Sequence, residues 1–169
     1  MKTRRLTTMA LLCALALIIF VVEAQIPAIV PIPGIKLGLS NIITIYAVWT
    51  LGAKEAVLIL VARIFLGAAF AGNFSTVFYS FGGGGCAIAV TIGLRCVLRK
   101  EQLWVAGCLG AIAHSIGQMV VAVWLSGTPS LMIYLPVMIL CSVITGLFTG
   151  LCAQILVKRG KELWKTIFK

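Results

Sequence analysis

The chain has 169 residues, of which 62% are hydrophobic and 11% charged, against about 25% charged in a soluble domain. That composition excludes a soluble globular fold and leaves an integral membrane protein, with length for about six spans of about 20 residues each and no room among them for a soluble domain. The net charge of +10 would suit nucleic acid, but the basic residues stand in turns and tails between apolar runs, so topology accounts for them and no nucleic-acid partner is expected.

Apolar runs and their breakers predict an all-α, integral membrane six-helix bundle, a single membrane domain over 1–169 with helices near 6–26, 38–53, 55–72, 82–98, 103–125 and 130–157. The first run follows Lys2, Arg4 and Arg5. Read as a signal peptide it would be cut near Val22-Glu23-Ala24, where the glutamate is badly placed, so it is expected to remain as the first span.

The stretch "IPAIVPIPGIKLGLSN" at 26–41 holds three of the five prolines, Pro27, Pro31 and Pro33. Proline fixes φ and lacks an amide proton, so this stretch cannot be an ordinary helix. Its isoleucines and Val30 favour a lid-like loop over 27–37 that folds inward, the alternative being a plain connector. Lys36 is its single charge.

Arg63 stands on the third helix, about 13 Å beyond a start near residue 54. An arginine at that depth costs about 2.5–3.5 kcal/mol, so it should face protein or a cavity. His114 lies at a similar depth on the fifth helix, with Gln118 one turn further on the same face. Glu23, Gln25 and Asn41 fall nearer the outer mouth, as do Asn73, Tyr79 and Ser80. These groups are expected to converge on an outward-facing polar pocket, with Lys36 and Arg63 favouring an anionic group on its ligand. The structural alternatives are a pairing of Arg63 with Glu23 or backbone carbonyls, and a satisfied interior histidine at 114.

The glycines of "FGGGGCAIAV" at 81–90 lack the following lysine and serine or threonine of a phosphate loop, so no ATP site is present. At the start of the fourth helix they are expected to permit close backbone approach, by packing on a neighbouring helix or, as the alternative, to a ligand. Small residues four apart recur as Ala10 and Ala14 on the first helix, Gly67 and Ala71 on the third, and Ser142, Gly146 and Gly150 on the sixth. In lipid such stripes let helices approach closely.

Twelve of the 14 lysines and arginines fall in the two tails and the turns near 53–55 and 95–100, and Lys36 stands alone on the opposite side. Positive residues favour the cytoplasmic face, so a multi-pass protein of the plasma membrane with both termini cytoplasmic is expected. No aspartate is present, the four glutamates are scattered, and the single histidine has no suitably spaced partners. No magnesium or zinc site, catalytic triad or cofactor is expected, and the chain is not expected to be an enzyme. The six cysteines form no CxxC pair and read as buried packing groups.

"PGIKLGLSN" at 33–41, followed by Arg63 and the glycines at 82–85, resembles the membrane family called heptaprenyl diphosphate synthase component I, or the Gx transporter family. The label implies prenyl-chain assembly, in which a chain without aspartate would serve as a non-catalytic membrane accessory. The same family is similar in layout to the substrate-binding S components of energy-coupling factor (ECF) transporters. That likeness implies six helices with cytoplasmic termini, a pocket covered by the loop after the first helix, and an Ala-x-x-x-Ala motif, here Ala10 and Ala14, that docks on a transmembrane coupling protein with separate ATPase subunits. The expected function is therefore the small-molecule-binding membrane subunit of an ECF-like importer, in contact with membrane lipid, for a vitamin-like substrate such as a flavin or a quinone or isoprenoid precursor.

Overall fold

The computed structural model describes residues 2–25, 38–72 and 74–167, which form helices joined by short turns, with no strand among them. Six α-helices follow one another: α1 (Lys2–Gln25), α2 (Asn41–Thr50), α3 (Ala53–Ala71), α4 (Ser75–Arg95), α5 (Leu103–Ser126) and α6 (Leu135–Ile167). A 3-10 turn at Pro129–Tyr134 leads into α6. The fold is the all-helical bundle that the apolar runs predict.

Among the described residues four segments are long and apolar enough to cross a membrane, namely Thr3–Glu23, Ser75–Arg95, Leu103–Ser126 and Pro129–Gly160. α3 has 19 residues but carries Lys54, Glu55 and Arg63. α2 has only 10 residues, about 15 Å of helix against a hydrocarbon core of about 30 Å. It is shorter than the expected 38–53 at both ends and reaches only partway across.

α4 starts at Ser75, seven residues before the expected 82. The hydroxyls of Ser75, Thr76, Tyr79 and Ser80 read as a loop, yet a helix carries them without leaving backbone groups unpaired. The run Gly82–Gly85 therefore lies inside a helix and not at its start. Gly72 ends α3 in the left-handed region, φ 63°, and the next helix begins three residues later.

Close backbone approach replaces the hydrophobic effect as the packing device. A Cβ on Gly82 would stand 2.8 Å from the Gly117 carbonyl oxygen, and one on Gly146 would stand 2.7 Å from that of Gly107. α5 is thus held between α4 and α6 through glycines on both of its sides. Ser142, Gly146 and Gly150 turn toward α5, and the hydroxyls of Ser115 and Ser142 lie 2.5 Å apart. Gly67 receives the Phe20 ring of α1. Gly85 has open space around it.

α1 packs on α2 and α3. Its inner face carries Leu12, Cys13, Ala16, Phe20 and Glu23, while Leu11, Leu15, Ile18 and Val22 face outward. Arg5 pairs with Glu55 at 3.3 Å, joining the starts of α1 and α3. The six cysteines are all free. Cys13 is buried, but Cys86 and Cys96 are exposed, so the burial expected for all of them does not extend to these two, although Cys86 Sγ lies beside Gly117 where α4 meets α5.

Candidate functional site

The second half of the 33–41 motif builds a tight turn. Asn41 N–H donates to the Gly38 carbonyl at 2.9 Å, Ile42 N–H to that of Leu39 at 3.1 Å and Ile43 N–H to that of Ser40 at 3.2 Å, so α2 winds directly out of Gly38. Gly38 has φ +77°, a conformation that favours glycine. A side chain there would also stand 3.1 Å from Asn41 Nδ2 and 3.5 Å from His114 Cδ2.

Two buried, opposite charges grip this turn. The Glu23 carboxylate at the end of α1 accepts from Gly38 N–H at 2.5 Å and from Leu39 N–H at 3.1 Å. Arg63, about 15 Å into α3, donates from Nη1 to Ser40 Oγ at 2.8 Å. Its guanidinium carbon also lies 5.7 Å from the centroid of Phe20, a cation–π distance. Glu23 and Arg63 are both 4% exposed. Hydrogen bonds to ionised groups are the strong ones in a dry interior, so this pair fixes where α2 begins.

Gly38 also borders Asn41 and His114, each 5% exposed. Among the described residues neither Asn41 Nδ2 nor Oδ1 has a hydrogen-bond partner, and neither has His114 Nδ1. His114 bonds the backbone of Gly83, and since Nδ1 is unpartnered, Nε2 makes that bond. The Gly83 N–H is engaged within α4, so its carbonyl is the acceptor and Nε2–H the donor. An imidazole with its proton on Nε2 presents Nδ1 as a bare acceptor. Gly83 is what admits the ring: a Cβ there would stand 2.9 Å from His114 Nε2 and 2.6 Å from Gln118 Cγ.

Of the residues expected at a polar pocket, Glu23, Asn41, Arg63, His114 and Gln118 are buried, and the first four gather about the Gly38–Asn41 turn. Gln118 joins them through Gly83. Tyr79 is half-buried one turn before Gly83 on α4, and Gln25 is exposed at the end of α1. Lys36, Asn73 and the lid-like loop 27–37 lie outside the described residues. Ser40, Phe20 and the backbone of Gly83 were not singled out by sequence reasoning, whereas Gly38 was expected to let the chain bend where the second helix begins. Ser40 and Gly38 lie within the motif itself, and Phe20 shares a helix face with Glu23 three residues on; Gly83 carried a signal for close approach but none for its partner. Among the described residues no group of three or more His, Cys, Asp or Glu is arranged to hold a metal.

The sequence profile of the family described as heptaprenyl diphosphate synthase component I matches residues 12–156, a span that contains every residue of this site. The chain belongs to that family. The family's description makes its members one component of a synthase and thus parts of a larger assembly. No curated protein and no solved structure matches the chain.

Proposed function

We propose that the chain is the substrate-binding membrane subunit of an importer of the ECF kind, taking a small molecule at the site formed by Asn41, His114 and Gln118 beside the Gly38 turn. The observation that carries this reading is the set of buried polar atoms on Asn41 and His114 that have no partner among the described residues. Each such atom costs about 1–3 kcal/mol when left unpaired, and a ligand supplies the missing bonds. The scarcity of positive residues outside the tails and the two turns supports cytoplasmic termini in the plasma membrane. Ala10 and Ala14 are exposed on α1, which supports their use in docking a transmembrane coupling protein whose separate ATPase subunits supply the energy. The chain itself works without catalysis.

Mass spectrometry of small molecules retained by the purified protein tests this reading. A molecule retained by the native chain and lost from Asn41→Leu is the expected result; an empty protein in both forms overturns it. A second reading, a non-catalytic membrane accessory of a prenyl diphosphate synthase, is favoured by the family's description. Co-purification with a soluble synthase subunit and not with a coupling protein would establish it.

A further inference from the structure

We infer that the site takes an uncharged ring carrying adjacent N–H and C=O groups, such as a lactam, imide or ureide edge, and that it rejects a diphosphate. The inference rests on the small-molecule-binding reading above and names the substrate class. Its basis is the hydrogen-bonding character of the unpartnered atoms. Asn41 offers one donor atom, Nδ2 with its two hydrogens, and one acceptor atom, Oδ1, side by side. His114 offers a bare acceptor at Nδ1 because the Gly83 carbonyl holds the Nε2 proton.

Two acceptors and one donor therefore wait for a ligand with complementary groups. A cyclic amide pairs with a carboxamide through two parallel bonds, its C=O taking the Nδ2 hydrogen and its N–H giving to Oδ1. A second ring N–H, as a ureide has, complements the acceptor at His114 Nδ1. A diphosphate has acceptor oxygens alone, so two of the three positions would face lone pair against lone pair. A quinone carbonyl fails at the same two positions. The cation that would offset a diphosphate is Arg63, and its guanidinium is already occupied by Ser40, by Phe20 and by the charge of Glu23. Discrimination by buried polar groups is steep, because a ligand that cannot pair them leaves them desolvated.

The full chain, purified into lipid nanodiscs, is titrated calorimetrically with three probes: lumichrome, an uncharged ring with an imide edge; 3-methyl-lumichrome, in which the imide nitrogen is blocked; and geranyl diphosphate. Lumichrome is expected to bind, with methylation and Asn41→Leu each weakening it at least tenfold. Because the Asn41 carboxamide has no partner among the described residues, Asn41→Leu is also expected to leave the thermal midpoint unchanged or raised. A lowered midpoint would make Asn41 a structural residue and overturn the inference. Equal affinity for lumichrome and its methylated form overturns it too. Geranyl diphosphate binding that Asn41→Leu abolishes removes the ligand class while keeping the binding site. If no probe binds, the inference fails, and the retained-molecule measurement decides the broader reading separately.

Discussion

The Arg63 guanidinium donates a 2.8 Å hydrogen bond to the Ser40 hydroxyl, joining the middle of α3 to the residue just before α2. Ser40→Ala deletes the acceptor and leaves the buried charge with fewer partners. A loss of about 1.5–3 kcal/mol is expected, read as a lower midpoint in detergent unfolding, and Ser40→Thr should restore most of it. An unchanged midpoint in Ser40→Ala would show that the other neighbours of Arg63 suffice.

Glu23 meets two backbone amides at once. Glu23→Gln keeps the shape but removes the charge and gives one amide a poor partner, so the start of α2 should loosen. Hydrogen exchange at Gly38 and Leu39 should quicken at least tenfold, while exchange in the α5–α6 interface should stay as it was. Uniform quickening would instead mean that Glu23 supports the whole bundle.

The glycines divide into two kinds. Gly146→Leu drives a side chain into the Gly107 backbone and should cost more than about 3 kcal/mol or prevent folding. Gly85→Ala meets open space and should be neutral or stabilise by up to about 1 kcal/mol. Thermal midpoints of the two variants, compared with the parent, check the contrast.

Ala10 and Ala14 are exposed, so replacing both with leucine should leave the midpoint within about 0.5 kcal/mol of the parent. Under the importer reading it should abolish co-purification with a coupling protein while retained small molecules persist. Loss of folding and binding together would assign the two alanines to internal packing.

Orientation has its own test. Cysteines placed at Ser75 and Thr128, both exposed, should react with an impermeant reagent in intact cells, in a background where the six native cysteines are replaced. A cysteine at Lys161 should not. Reaction at Lys161 alone would invert the topology.

Helix number and the gathering of Arg63, Glu23, Asn41 and His114 were legible in the sequence because ionisable and amide groups in apolar runs must face inward. The start of α4 was not. Ser75, Thr76 and Tyr79 are polar in composition, yet their hydroxyls fit a helix as readily as a turn. Nor could the sequence pair Gly83 with His114, since the reach of one helix into another depends on the crossing of α4 and α5. Ser40 stood in plain view within the motif, but its partner lies 23 residues away on α3.

The Glu23 carboxylate makes α1 a tether as well as a wall. The helix is continuous from Lys2 to Gln25, so Ala14 and Glu23 move as parts of one rod about 14 Å apart. A rotation of α1 by one residue, about 100°, would swing Glu23 off both amides together. A partner seated against the outer face of α1 would therefore act, through Glu23, on the backbone that borders Asn41 and His114.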